Sequence, residues 1–224
     1  MPVVDAEGRL LGMIAADELL AIERAEAAED MKVMAGLDPD ASAADGPLAI
    51  LRRRLPWLSG GLIGSGVAAL VAGAYEDALT EAAILASLIP IVMSLAGNAG
   101  IQASTVTVQA LGAGALWVGD LWGRVLREIG GALLNGGAVG LLVAAGVMGM
   151  AQIVEIERPE MLALTAVLTL LAVTVQASTI GAVMPIALER LKFDPAFATG
   201  VFIATSNDVV GVLIFFLIAT TFYI

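Results

Sequence analysis

Long apolar stretches alternate with short polar gaps along this chain, and beyond residue 56 the apolar stretches dominate. Five of them run over roughly 57–75, 82–111, 128–152, 160–188 and 196–222. A helix rises about 1.5 Å per residue, so each stretch is long enough to cross a hydrocarbon core of about 30 Å. The second and fourth can also tilt, or extend beyond the bilayer. The first part of the chain has a different pattern. Pro2-Val-Val and Leu10-Leu-Gly-Met flank an Asp5-Ala-Glu-Gly turn, which predicts two short strands. A helix is expected from about Ala16 to Met34, with Asp17 as its N-cap and Gly36 and Pro39 ending it. Residues 36–56 then read as a linker, rich in Gly, Asp and Ala as far as Pro47. The expected class is an all-α membrane protein preceded by a small α/β segment.

Basic residues orient the spans. Arg52, Arg53 and Arg54 precede the first, Arg124 and Arg127 separate the second and third, and Arg190 and Lys192 separate the fourth and fifth. If the spans alternate, all seven fall on one side. The opposite side carries Arg158 beside Glu76, Asp77, Glu81, Glu155, Glu157 and Glu160. This asymmetry predicts a multi-pass protein of the cell (inner) membrane, with its N-terminus cytoplasmic and its C-terminus outside. Trp117 and Trp122 fall at the level of an interface, where they would anchor the chain among lipid headgroups.

Composition narrows the chemistry. Of 224 residues 59% are hydrophobic and only 15% charged, with a mean hydropathy of +0.92. The absence of Cys and His removes disulfides, thiolate and imidazole metal sites, and the catalytic triads or dyads that use those residues. Any bound metal must then be held by oxygen, which suits hard cations such as Mg²⁺ or Ca²⁺. A net charge of −11 argues against nucleic acid as a partner. No P-loop pattern is present, and nothing pairs a nucleophile with a base, so no enzyme is expected.

Asp208 is the residue least suited to its surroundings. It lies near the middle of the fifth span, where a carboxylate costs about 3 kcal/mol on insertion scales. It must meet a wet cavity or a cation, or remain protonated and hydrogen-bonded between helices. In the second span, Gly97 and Gly100 loosen the helix, and Asn98, Gln102 and Thr105 share one face at i, i+4 and i+7. A neutral polar stripe facing a carboxylate suits a hydrated cation, although ordinary small-residue packing gives the same pattern. Gln176-Ala-Ser-Thr in the fourth span repeats residues 102–105.

Three segments, in order, carry a resemblance to a known family. They are Leu88-Ile-Pro-Ile-Val-Met-Ser-Leu-Ala-Gly-Asn-Ala-Gly-Ile-Gln, Gly181-Ala-Val-Met-Pro-Ile-Ala-Leu-Glu-Arg-Leu-Lys-Phe-Asp-Pro-Ala and Ala204-Thr-Ser-Asn-Asp-Val-Val-Gly. The chain resembles the MgtE family of magnesium channels and transporters over nearly its whole length. That resemblance implies a homodimer with five membrane helices per subunit and a pore on the dimer axis. Asp208 of both subunits would bind Mg²⁺ there, with Asn98 facing the pore and Ala204 lining it one turn away. Gly97, Gln102, Thr105 and Asn207 would complete the lining.

The resemblance also implies a division into residues 1–35 (the end of a CBS domain and an acidic connecting helix), 36–56 (linker) and 57–224 (pore domain). Glu26, Glu29 and Asp30 lie on one helical face and would bind regulatory Mg²⁺; a solvated acidic face is the alternative. The family's N-terminal helical domain, first CBS domain and the front of the second have no counterpart in the sequence, which suggests a fragment. Two rival functions fit the same residues. One is a proton- or sodium-coupled transporter using Asp208 as its proton carrier, and the other a non-transporting membrane anchor for a CBS sensor.

Overall fold

The computed structural model describes residues 2–116 and 121–224; Trp117, expected as an interface anchor, lies outside them. The N-terminal turn forms because the Asp5 carboxylate accepts from the Glu7 N–H (3.1 Å) and the Arg9 N–H (2.7 Å). Strands β1 (Pro2–Val4) and β2 (Leu10–Met13) pair antiparallel across it, with an irregularity between Val3 and Val4. Helix α1 covers Ala16–Met34. Its N-cap is Ala15 rather than Asp17, because the Glu18 carboxylate reaches back to accept from the Ala15 N–H at 3.3 Å. Asp17 instead occupies the first turn, where its charge suits the helix dipole.

Helix α2 (Pro47–Gly73) begins inside the segment expected to be a linker. Pro47 sits where a helix needs no N–H, and Arg52, Arg53 and Arg54 ride on the first turns. Arg53 pairs with Asp38 (3.4 Å) and Asp45 (3.5 Å), and Lys32 Nζ donates to the Pro39 carbonyl at 2.7 Å. These contacts hold the α1–α2 connection on the helices it joins.

The remaining helices are α3 (Glu76–Glu81), α4 (Ile89–Gly112), α5 (Leu121–Met150), α6 (Pro159–Arg190) and α7 (Val201–Phe222). A 3-10 turn over Ala83–Ser87 leads into α4, and Pro90 falls in the first turn of α4 instead of kinking a longer helix. Another 3-10 turn, Pro195–Ala198, precedes α7. Five segments are long and apolar enough to cross a membrane: Pro47–Gly73, Ala83–Gly112, Leu121–Met150, Pro159–Arg190 and Pro195–Phe222.

Helix α6 is the hub. It packs against α4, α5 and α7, while α2 packs on α7. Toward one end, Leu85, Leu88, Val92, Leu162, Leu170, Phe215 and Phe216 form a buried core, with Tyr75 stacked on Phe216 at 4.7 Å between ring centroids. There the Tyr223 hydroxyl donates to the Glu157 carbonyl at 2.8 Å, and Arg158 lies over the Tyr223 ring. Toward the other end, Val33, Val108 and Ala196 bury together and join α1 to the bundle. The flanks stay apolar and open: Leu62 and Leu70 of α2, and Leu134 and Leu142 of α5, are all more than 70% exposed. Such a face is favourable against lipid and unfavourable against water.

Candidate cation site

Asp208 stands at the midpoint of the segment Pro195–Phe222, partly buried, and has no ion-pair partner among the described residues. Ala204, one turn earlier on the same face, is also partly buried. Asn207 has a different environment. Expected on the pore lining, it is fully buried inside the chain. Its Nδ2 donates to the Ala96 carbonyl of α4 at 3.2 Å, and its Oδ1 accepts from Gln176 Nε2 of α6 at 3.0 Å. Successive helical residues point about 100° apart, so seating Asn207 between α4 and α6 turns Asp208 away from that contact. Gly100 makes the seat: a Cβ there would collide with Asn207 Nδ2 and with Ile203.

On α4, Asn98 and Gln102 are exposed, whereas Gly97 and Thr105 are partly buried. Helices α4 and α5 both lean on α6 and leave a groove of about 570 Å³ between them. Asn98, Gln102, Asn135, Thr174 and Ser178 line it, with Arg127 and Glu128. Arg124 pairs with Glu128 and also donates to Thr107 Oγ1 at 3.2 Å. Asp208, Ala204, Gly97 and Thr105 do not line this groove. This groove therefore gathers Asn98 and Gln102 of the α4 polar stripe but not the α7 carboxylate.

A second polar region lies where α1 meets the bundle. Glu26, Glu29 and Asp30 line a hollow of about 330 Å³ together with Glu189 of α6 and Asp194 of the loop before α7. Burial, then the charges of Asp194, Glu26 and Glu29, push the Asp30 carboxyl above its ordinary value of 3.8. Among the described residues no three carboxylates converge closely enough to form a ready metal-ligand set. Glu189 and Asp194 were not anticipated as site residues. Their signal was available, since both lie in the polar gap on the side expected to hold α1. Gly200, with φ of 61° and ψ of −129°, sits where the start of α7 meets the last turn of α1. A Cβ at Gly200 would lie 2.7 Å from the Met34 carbonyl oxygen.

Comparison with known proteins decides what kind of membrane protein this is. Residues 89–218 match the profile of MgtE, a divalent cation transporter family. That match takes in α4 to α6, most of α7 and more than half of the chain. The chain belongs to the MgtE family. It is 34% identical over 223 residues to the magnesium transporter MgtE of Enterococcus faecalis, covering 99% of this chain and 48% of that protein. The corresponding figures for magnesium transporter MgtE of Thermus thermophilus are 33% over 222 residues, 98% and 48%. For that of Bacillus subtilis they are 29% over 224 residues, 99% and 48%. The chain thus spans about half the length of the curated relatives it matches.

Membership in MgtE makes this a multi-pass membrane chain of a transporter family, not an enzyme. The matched segment contains Gly97, Asn98, Gln102, Thr105, Ala204, Asn207 and Asp208. It excludes Glu26, Glu29 and Asp30, which lie in α1, although it includes their neighbours Glu189 and Asp194.

Proposed function

We propose that this chain conducts Mg²⁺ across the inner membrane, down its electrochemical gradient, through a pore on the axis of a homodimer. The observation that carries the reading is Asp208, a carboxylate without an ion-pair partner among the described residues, at the midpoint of an apolar span. A charge at that depth is tolerated when it meets water or a counter-ion. Two copies related by a two-fold axis would bring two such carboxylates together. A dimer would also offer a route to join Asn98 and Ala204 to them. Mg²⁺ gives up its waters reluctantly and prefers octahedral oxygen. Carboxylates, the Asn98 amide and backbone carbonyls acting through those waters would hold the ion loosely enough to release it. Two charges crossing about 100 mV gain roughly 4.6 kcal/mol, so no energy-coupling site is needed.

In this reading the N-terminus is cytoplasmic, and the outer side, bearing Glu155, Glu157 and Glu160, concentrates cations. Residues 1–35 form the end of a CBS domain with its acidic helix, and Glu26, Glu29 and Asp30, joined by Glu189 and Asp194, bind regulatory Mg²⁺. The test is uptake of Mg²⁺ into proteoliposomes at a set membrane potential, followed with a Mg²⁺-sensitive dye. Wild-type uptake abolished by Asp208→Asn is expected. Uptake that follows the pH gradient instead would indicate proton coupling, and uptake unchanged by the substitution would remove Asp208 from the site.

A further inference from the structure

We infer that Gln176 and Asn207 are a positioning pair that fixes the direction of Asp208 and so sets discrimination between cations; the inference rests on the conducting role proposed above. Three observations lead to it. Asn207 adjoins Asp208 and is wholly buried, with both ends of its amide engaged, one by Ala96 of α4 and the other by Gln176 of α6. The seat is made for that amide, since any side chain at Gly100 would occupy the space of Asn207 Nδ2. The third concerns Gln176 itself. Its Nε2 donates to Asn207, while its Oε1 is buried with no partner among the described residues.

The energetics argue against a purely stabilising role. Interhelical hydrogen bonds in membranes average only about 0.6 kcal/mol. A buried acceptor without a partner costs about 1–3 kcal/mol. Apolar residues of similar size at both 176 and 207 would avoid that cost without leaving either acceptor unpaired. What the amide pair supplies is direction. An apolar contact tolerates a small turn of α7, but two hydrogen bonds to different helices do not. Asp208 comes one residue later, about 100° around the helix, and inherits that fixed angle. In a site built from two carboxylates, a small change of angle in each is applied twice.

The chain has no cysteine, so a single introduced thiol reports direction without any flux. Asp208→Cys is placed in the native background and with Gln176→Leu, Asn207→Leu or Gln176→Glu, and its rate of reaction with a water-soluble thiosulfonate is measured. We expect each leucine variant to change that rate about threefold to eightfold, the range one or two such hydrogen bonds represent. Gln176→Glu keeps a donor when protonated and is expected to restore the native rate. Ala219→Cys, at a position with no exposure, should stay unreactive throughout, which separates turning from unfolding.

With Asp208 intact, Gln176→Leu is expected to shift half-saturating Mg²⁺ and the Mg²⁺-to-Ca²⁺ flux ratio by a similar factor. A thiol rate unaffected by both leucine variants would overturn the inference. So would a fall in maximal flux alone, with half-saturation and ion ratio unmoved. Absence of uptake by the wild type would sink the conducting reading instead, and the thiol rates would then decide the positioning on their own.

Discussion

Gly200 offers the sharpest test of how the polar N-terminal segment is joined to the bundle. Its φ of 61° with ψ of −129° belongs to a region open essentially to glycine, and another residue there costs of order 1–3 kcal/mol. Gly200→Ala adds a second cost, because the new Cβ meets the Met34 oxygen at 2.7 Å and the Gly36 nitrogen at 3.2 Å. Both are backbone atoms and cannot rotate aside, so the end of α1 must move away. Taking the upper end of the range, about 3 kcal/mol, docking of α1 weakens by a factor of roughly 150. The core of Phe215, Phe216, Leu162 and Leu170 lies elsewhere and should be untouched. Hydrogen exchange read by mass spectrometry on detergent-solubilised protein measures both effects. Peptides covering residues 28–37 should exchange much faster, while those of α6 remain protected. Gly8→Ala is the control: Gly8 also has positive φ, 80°, but nothing lies within 4 Å of its Cβ position, so only the hairpin should respond. Unchanged exchange in residues 28–37 of a folded Gly200→Ala protein would refute the joint.

Two further predictions concern the ends of the bundle. The raised value at Asp30 means that the docked state holds its proton more tightly than an undocked helix does. Docking of α1 should therefore strengthen as pH falls from neutral through that raised value toward 3.8, and weaken as pH rises through the same window. Asp30→Asn should reproduce the tighter docking at neutral pH and flatten the dependence; looser docking, seen as faster exchange in α1, would contradict it. At the opposite end, Tyr223→Phe removes the hydrogen bond to the Glu157 carbonyl, worth about 1 kcal/mol. Amides in the first turns of α6 should then exchange about fivefold faster, and equal exchange rates would show that the hydroxyl contributes nothing there.

Much of this architecture could be read from hydropathy alone, because five apolar runs with polar gaps allow few alternatives. The hairpin was equally legible from Asp5 and Gly8. What escaped depended on facing and on tertiary contact. The chemistry of Pro47 permits either a linker or a helix start, and only the packing of α2 on α7 decides between them. Asn207 and Asp208 are adjacent polar residues in one motif, and nothing in their order says which of them turns inward. The answer lies in Gly100 and Gln176, each on another helix. Likewise Glu189 and Asp194 join the acidic face of α1 only because the start of α7 folds back onto its last turn. Asp208 was legible as an anomaly, yet its separation from the groove beside Asn98 follows from α4 and α5 each leaning on α6.

Helix α7 is tied down at both extremities, by the close approach of Gly200 to α1 and by the Tyr223 hydroxyl on the α5–α6 loop. A rod moored fore and aft cannot shuttle along its own length. Slipping by one helical turn, about 5.4 Å, would tear loose both moorings together. On the conducting reading proposed above, the carboxylate it carries is then a stationary mark, and traffic past it would be regulated by the walls that face it.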